Sequence, residues 1–202
     1  MKLYQNGIKR ILDVLISLAG VMVLSPVFLL LILLVPCFFN APPFFIQKRL
    51  GKDGRIFSII KFRSMTGDTD ASGNLLPDEK RTIPFGRFLR KSSLDEIPQL
   101  INILKGDMSL VGPRPMLPFY NGLYSSFQMQ RNRVRPGITG LAQVSGRNQI
   151  SWYTRFRLDV WYVSHVSFWL DIHILLRTFQ QWFKRKNVGH TRHIPQEFEG
   201  NP

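Results

Sequence analysis

The adjacent carboxylates Asp95 and Glu96 lie in the stretch KSSLDEIPQL, between a basic segment and an apolar helical pattern. An ionised carboxylate among cationic groups can attack phosphorus and form an acyl phosphate. A neighbouring carboxylate can hold Mg²⁺, which takes few protein ligands and completes its shell with phosphate oxygens and water. Ser93 and Glu96 also have the spacing of a capping box at a helix start. The pair is therefore either a catalytic dyad for phosphate chemistry or a helix cap.

The segments around this pair are rich in arginine, which binds phosphate in bidentate geometry. Arg114 stands between Pro113 and Pro115, whose rings restrict the backbone that carries the guanidinium. The other basic candidates are Arg87, Arg90, Lys91, Arg131, Arg133, Arg135 and Arg147. The four histidines are scattered along the chain, so the sequence offers no histidine-rich metal site. These basic groups favour the catalytic interpretation.

Composition points to anionic partners. The chain has 202 residues and a formal net charge of +14, an excess typical of proteins that meet nucleic acid, phosphorylated substrates or acidic lipids. No recognisable nucleic-acid-binding motif accompanies this charge, so we expect no nucleic-acid partner. The single cysteine, Cys37, excludes an intramolecular disulfide and a cysteine-rich zinc site, and it fits a reducing compartment.

An apolar run over 11–39 carries one charge, Asp13, and is long enough to cross a bilayer: a straight helix of this length measures roughly 43 Å, against about 30 Å of hydrocarbon. Ser25–Pro26 falls near its middle, where proline breaks or kinks a helix, and the Ser25 hydroxyl can bond a backbone group that the break frees. Basic residues flank both ends, and such flanks favour the cytoplasmic face. These features predict a re-entrant helix hairpin that enters and leaves on one side. A kinked spanning helix is the alternative.

Beyond this run, the patterns predict an α+β fold that is mostly helical and contains a short β-hairpin. Two β-branched and aromatic runs, PFFIQKRLG and RIFSIIKFRSM, flank the glycine-containing turn of that hairpin. Apolar spacing over 83–104 predicts two short helices joined at Ser92–Ser93, after a polar surface loop over 66–82. The segments KGDMSLVGPRPML and RVRPGITGLAQVSGRN are dense in Gly, Pro and Arg, which predicts loops with functional residues.

The aromatic and basic segment 152–186 predicts amphipathic helices that lie in the membrane interface, with an ordinary core helix pair as the alternative. We therefore expect three parts in the chain. Residues 1–40 form the re-entrant membrane anchor, residues 41–188 form a cytoplasmic catalytic domain with interfacial helices, and residues 189–202 form a polar tail with frayed ends.

Several long motifs occur in a fixed order along the chain: KRILDVLISL followed by SPV, QKRLGKDGRIFSIIKFRSM, RKSSLDEIPQLINILKGDMSLVGPRP, RPGITGLAQVSGRN, and LDVWYV followed by DIHIL. Together they cover about residues 8–188 and resemble the bacterial sugar transferases. More narrowly, the chain is similar to the small monotopic polyprenyl-phosphate phosphoglycosyl transferases of the PglC type. The resemblance implies attachment to the bacterial inner membrane, with the active site on the cytoplasmic face.

The resemblance also implies a reaction. A sugar 1-phosphate, carried on a UDP-sugar that we expect to be an N-acetylated amino sugar, passes to undecaprenyl phosphate with release of UMP. Asp95 is the implied nucleophile, which forms a phosphosugar–enzyme intermediate, and Asp95 and Glu96 are the carboxylates associated with Mg²⁺. Ser25 and Pro26 are the implied break in the membrane helix. The implied substrate- and phosphate-binding residues are Lys61, Arg90, Pro113, Arg114, Pro115, Arg147 and Asp159.

Two other functions stay open. Undecaprenyl phosphate could attack the UDP-sugar directly, with Asp95 as a metal ligand; release of UMP before lipid addition would distinguish the covalent route. The second is non-catalytic, a basic membrane-surface scaffold or nucleic-acid binder, for which strongly salt-dependent DNA binding is the mark. That alternative leaves the Asp-Glu junction and the proline-flanked Arg114 unexplained. The sequence carries no signal for an oligomeric state.

Overall fold

The computed structural model describes residues 4–146, 149–184, 198 and 200. The helices are α1 (Lys9–Phe39), α2 (Asp78–Arg81), α3 (Pro84–Ser92), α4 (Gln99–Lys105), α5 (Ser126–Met129), α6 (Leu141–Val144), α7 (Trp152–Ser164) and α8 (Phe168–Lys184). The strands are β1 (Phe44–Leu50), β2 (Ile56–Phe62), β3 (Ser109–Val111) and β4 (Gly137–Thr139). Most described residues are helical and the strands form two separate pairs, which confirms the predicted α+β fold that is mostly helical.

Helix α1 continues through the proline at which the sequence predicted a break. Pro26 has no backbone N–H, so the carbonyl of Met22, four residues earlier, loses its helical partner. The Ser25 hydroxyl donates to that carbonyl at 2.7 Å, as expected from the sequence. The freed carbonyl is therefore satisfied within the same turn, and residues 9–39 form one helical element rather than two helices separated by a gap.

One face of α1 packs on the rest of the protein and the other does not. The buried positions recur four residues apart, at Asp13 and Ser17 in the first half and at Leu31, Val35 and Phe39 in the second. The outward positions expose large apolar side chains, including Ile11, Leu15, Met22, Val23, Leu29 and Leu33. Among the described residues, α1 is the one helix long and apolar enough to cross a membrane, by length and composition.

The start of α1 is fastened to α8 through one buried carboxylate. Asp171 accepts hydrogen bonds from the Tyr4 hydroxyl at 2.7 Å and from the Lys9 ammonium. Its other oxygen accepts from the Tyr162 hydroxyl, also at 2.7 Å. Asp171 therefore joins α1, α7 and α8 at one point, the Asp171 clamp.

The next turn of α1 is tied to α4 and β3. Arg10 donates to the carbonyls of Ile103 and Leu104 in the last turn of α4, where helical carbonyls lack regular N–H partners. Asp13 accepts a hydrogen bond from the backbone N–H of Leu110 at 3.0 Å. The first turns of the apolar helix are thus bound to the same domain that carries the rest of the chain.

The predicted β-hairpin is confirmed. Strands β1 and β2 pair antiparallel from Phe44 opposite Phe62 to Leu50 opposite Ile56. The turn between them places Asp53 at a φ of 55°, a left-handed conformation that aspartate tolerates better than most residues. The buried side chain of Asn102 on α4 accepts a hydrogen bond from the Ile60 N–H and donates one to the Ser58 carbonyl. These two hydrogen bonds join α4 to β2.

The two segments rich in Gly, Pro and Arg meet as a short parallel pair, β3 with β4, where the sequence predicted loops. The Gly112 N–H donates to the Thr139 carbonyl at 2.9 Å, and the Gly137 N–H donates to the Pro113 carbonyl at 3.0 Å. A Cβ on Gly112 would overlap the backbone of Gly137 and Arg135, and a Cβ on Gly137 would overlap that of Gly112. The two glycines therefore permit a backbone crossing that no side chain would fit.

The end of the chain returns to the core. Phe198 is 7% exposed, and its ring centroid lies 5.0 Å from that of Phe156 on α7 and 5.7 Å from that of Trp152. The predicted polar tail, 189–202, otherwise lies outside the described residues except for Gly200. The sequence missed this anchor, because a single phenylalanine in a polar segment carries no periodicity.

Candidate active site

A sharp reversal of the backbone carries the Asp-Glu pair. Helix α3 ends at Ser92, Ser93 adopts a left-handed conformation (φ 59°), and residues 94–96 form a single 3₁₀ turn before α4. Ser93 provides no side-chain cap to this turn, so the capping-box interpretation is wrong. The two helices predicted to join at Ser92–Ser93 are confirmed, and the junction between them presents the carboxylates.

Asp95 is buried but ionisable near neutral pH. Its residue surface is 8% exposed, and this burial, together with the negative charge of Glu96, raises the pKa of its carboxyl to about 6. The positive charges of Lys61 and Arg90 counteract the rise. Within the part of the chain that the structure describes, no other side chain hydrogen-bonds to this carboxylate. Asp95 is therefore mostly ionised at pH 7, and its oxygens accept from a backbone N–H but from no described side chain.

Glu96 is held by a lysine from the hairpin. The Lys61 Nζ of β2 lies 2.7 Å from the Glu96 Oε1, and both side chains are about four-fifths buried. Burial alone would raise the pKa of Glu96, but the charges of Lys61 and Arg114 outweigh it and the pKa is lowered. The two adjacent carboxyls thus have pKa values displaced in opposite directions, a pattern typical of sites that assign them different roles.

The proline-flanked arginine lies at the same site. Pro113 and Pro115 are buried whereas the Arg114 side chain is exposed, so the ring on either side holds the backbone while the guanidinium projects. The Arg114 carbonyl accepts a hydrogen bond from Arg131 at 2.8 Å. Arg90, in the last turn of α3, is also exposed. The structure thus brings Lys61, Arg90 and Arg114 into electrostatic range of the Asp95–Glu96 pair.

Asp159 lies elsewhere, in a buried ion pair with Arg131. The Arg131 Nε and Nη2 donate to the Asp159 Oδ2 at 3.0 and 2.8 Å, and each residue is 2% exposed. Asp159 therefore acts on the site through Arg131, which holds the Arg114 backbone, and Arg131 is likewise committed rather than offered to a ligand. Arg147 lies outside the described residues.

Gln99 is a site residue that the sequence interpretation missed. It begins α4 one turn beyond the dyad, is 2% exposed, and its amide lowers the pKa of Glu96. The amide nitrogen has no described partner with full hydrogen-bond geometry. A polar residue among Ile97, Leu100 and Ile101 was the available signal, because a buried amide in an apolar pattern usually serves a neighbouring polar group.

The dyad suits a metal that is shared with the substrate. Within the described residues, no group of three or more His, Cys, Asp or Glu side chains could hold a metal on its own. Mg²⁺ commonly takes one or two carboxylates and fills its octahedral shell with phosphate oxygens and water. Asp95 and Glu96 fit that arrangement, since they are adjacent and Asp95 has no other side-chain partner.

Comparison with known proteins places these residues in a family. The family model for bacterial sugar transferases matches residues 4–185. The chain is 46% identical over 190 residues to the uncharacterized sugar transferase EpsL of Bacillus subtilis, covering 94% of both chains. It is 37% identical to the undecaprenyl-phosphate galactose phosphotransferase of Salmonella typhimurium, covering 88% of this chain and 41% of that protein. It is also 37% identical to the UDP-glucose:undecaprenyl-phosphate glucose-1-phosphate transferase of Klebsiella pneumoniae, covering 91% of this chain and 42% of that protein. The chain therefore belongs to the bacterial sugar transferase family.

Proposed function

We propose that this protein transfers a sugar 1-phosphate from a UDP-sugar to undecaprenyl phosphate and releases UMP, the first membrane step of glycoconjugate assembly. The names of the Salmonella and Klebsiella relatives support the reaction class. The observation that carries the proposal is the Asp95 carboxylate, buried and without a side-chain donor, beside a Glu96 that Lys61 keeps ionised. Phosphoryl transfer asks a protein for little more than a positioned nucleophile and neutralising charges.

In the first half-reaction, an Asp95 oxygen attacks the phosphorus that bears the sugar. The bond from that phosphorus to the bridging oxygen breaks, the bridging oxygen keeps the electron pair, and UMP leaves. The product is an aspartyl phosphosugar. Arg90 and Arg114 neutralise the phosphate oxygens, while the Lys61–Glu96 ion pair fixes the turn that carries the nucleophile. Asp95 and Glu96 would hold Mg²⁺, which would supply further neutralisation of the phosphate charge.

In the second half-reaction, a phosphate oxygen of the lipid attacks the phosphosugar phosphorus. The bond to the Asp95 oxygen breaks, and Asp95 leaves as a carboxylate. A group with a pKa of about 6 is suited to both roles, because it is ionised at pH 7 and is a good leaving group. Direct attack by the lipid phosphate, with Asp95 as a metal ligand, is the alternative mechanism.

We propose that α1 is a re-entrant, monotopic anchor on the cytoplasmic face of the inner membrane. Both ends of α1 support this: Arg10 bonds to the end of α4, and Phe39 packs with Phe62 and Leu89 of the same domain. A helix that crossed about 30 Å of hydrocarbon would carry one end out of reach of that domain. Labelling of Gln5→Cys and Asn40→Cys, each in a Cys37→Ser background, tests the topology. Protection of either cysteine from a cytoplasmic-side reagent, with labelling from the opposite side, would contradict the proposal.

The exposed side chains of α8 support the proposal that this helix lies in the membrane interface. Trp169 is 78% exposed, and Leu176 and Phe179 are also largely exposed, whereas Asp171 and Ile174 on the opposite face are buried. Tryptophan and exposed apolar side chains on one face of a helix are typical of proteins that dip into the headgroup region. Membrane lipids would therefore contact both α1 and α8.

The donor sugar is tested together with the mechanism. The family resemblance favours an N-acetylated amino sugar, whereas two relatives are named for galactose and glucose transfer. The nanodisc-held protein is incubated with Mg²⁺ and a panel of UDP-sugars of all three kinds, without lipid, and its intact mass is measured. We expect an added mass of one sugar phosphate with one donor class.

The matched variants are Asp95→Asn, which should form no adduct, and Asp53→Asn in the exposed hairpin turn, which should form it normally. UMP release only after undecaprenyl phosphate is added, with no adduct under any condition, would favour direct attack. Near-normal turnover by Asp95→Asn would refute the nucleophile assignment.

A further inference from the structure

A second basic group, Arg49, lies close to Arg114 near the end of β1, where the surface forms a shallow groove. The groove is lined by Leu50 and Gly51 of the hairpin, by the Pro113–Pro115 segment and by Asn132. The Leu50 N–H donates to the Met116 carbonyl at 2.8 Å, so the end of the strand and the proline-flanked arginine are bound to each other. Arg49 and Arg114 meet at this junction.

Arg49 is only partly exposed, and its described partners are all neutral. Its Nη1 donates to the Pro115 carbonyl at 3.3 Å and its Nη2 to the Gln47 amide oxygen at 2.6 Å. Its Nε is buried and has no partner within the described residues. Burial, and then the positive charge of Arg114, lower the pKa of Arg49 to about 10. Burial of this guanidinium without a counter-charge therefore costs free energy.

No described carboxylate forms an ion pair with either of these arginines, although Arg114 lies within electrostatic range of Glu96. Asp159 is the acidic group on the neighbouring helix α7, and its Oδ2 is already bound to two nitrogens of Arg131. The described salt bridges include none from Arg49 or Arg114. Glu96 is itself paired with Lys61, so both nearby carboxylates are bound to other cations. Two adjacent arginines in this position form a site that an anionic ligand would complete.

We infer that Arg49 and Arg114 together hold a phosphate monoester, separate from the phosphate that Asp95 attacks. This inference rests on the proposed function. Two ligands of the proposed reaction carry such a group: UMP, once it is released from the donor, and the headgroup of the lipid acceptor. UMP fits better, because Arg114 adjoins both the dyad and Arg49, and a diphosphate would place one phosphate on each side of it. As UMP leaves, its charge grows, and two guanidinium groups would stabilise that charge.

The test measures equilibrium binding of UMP to the full-length protein in nanodiscs, without donor sugar. Replacement of Arg49 by methionine removes a charge-assisted contact and should weaken UMP binding about 10- to 30-fold. Arg49→Lys keeps the charge without the two-pronged geometry and should weaken binding about threefold. Lys48→Met is the matched control, since Lys48 is the exposed neighbour on the same strand and should change affinity less than about twofold.

A second measurement distinguishes the two sources of phosphate. The KM for undecaprenyl phosphate is determined for the same variants: a rise in Arg49→Met with unchanged UMP affinity would assign the site to the lipid headgroup. Unchanged UMP affinity and unchanged lipid KM in folded Arg49→Met would overturn the inference. If Arg49→Met does not fold, Arg49→Lys gives the same comparison. Failure of the proposed function has another signature, since wild-type protein would then release no UMP from any UDP-sugar.

Discussion

Removal of the Lys61 charge should shift the pH profile of the reaction to higher pH without abolishing activity. Lys61→Met keeps most of the aliphatic side chain but deletes the ammonium that lies 2.7 Å from Glu96 and that also lowers the pKa of Asp95. A neighbouring opposite charge lowers a carboxyl pKa by about one to three. We take the lower bound, because both side chains of the pair retain about a fifth of their exposure and solvent screens them.

The magnitude follows from the pKa of about 6 for Asp95. If that pKa rises to about 7, the ionised fraction of Asp95 at pH 6 falls from about one half to about one tenth. At pH 8 more than about nine tenths remain ionised in either protein. The variant should therefore lose about fivefold in kcat/KM at pH 6, about twofold at pH 7 and almost nothing at pH 8 from this cause.

The assay is UMP release between pH 5 and 9, at fixed ionic strength and saturating Mg²⁺. Lys52→Met, at the exposed hairpin tip, removes the same charge far from the dyad and serves as the control. A loss in Lys61→Met that is equally large at every pH would refute the reasoning. Lys61 would then contact the substrate itself, and its effect on the pKa of Asp95 would be secondary.

The remaining predictions concern stability and are measured by thermal or denaturant unfolding. The pKa of Asp95 is raised from 3.8 to about 6 in the folded state, so the stability of the protein falls as pH rises through about 4 to 6. Asp95→Asn should therefore stabilise the protein by roughly 2–3 kcal/mol at pH 8 and have little effect at pH 4. Equal effects at both pH values would contradict this. Asp171→Ala leaves the buried Lys9 and two tyrosine hydroxyls without their acceptor and should cost about 3–5 kcal/mol, whereas a loss below about 1 kcal/mol would show that the clamp is not rigid. Phe198→Ala should cost about 2–4 kcal/mol, and an unchanged midpoint would mean that Phe198 does not occupy its aromatic cluster in solution.

Local patterns predicted the elements that position the dyad. Two short β-branched and aromatic runs around a glycine-containing turn predicted the hairpin, and the apolar spacing on each side of Ser92–Ser93 predicted α3 and α4. These signals succeed because each element buries one regular face. The ion pair between Lys61 and Glu96 joins residues 35 positions apart, so only the family resemblance brought Lys61 into view.

The features that escaped prediction depend on contacts distant in sequence. Three-residue strands such as β3 and β4 contain too few residues to show a period, and each depends on the other for its hydrogen bonds. The Arg131–Asp159 pair also cannot be recognised locally, since either residue alone is typical of a surface. At Pro26, a residue type that usually ends a helix, the Ser25 hydroxyl bonds to the Met22 carbonyl that the proline leaves without a partner, and α1 continues.

The contact between Gly112 and Gly137 limits how this protein can be redesigned. Because neither position has room for a Cβ, the segment that carries Arg114 and the segment after Arg135 can be exchanged between relatives only as a matched set. Chimeras that replace one of them alone would separate the strands and displace the arginine. The loop over 66–82 is different: its ends are joined by the Thr66 N–H and the Arg81 carbonyl, so it can be replaced as one module. A graft at that loop would leave the pairing of β3 with β4, and so the position of Arg114, undisturbed.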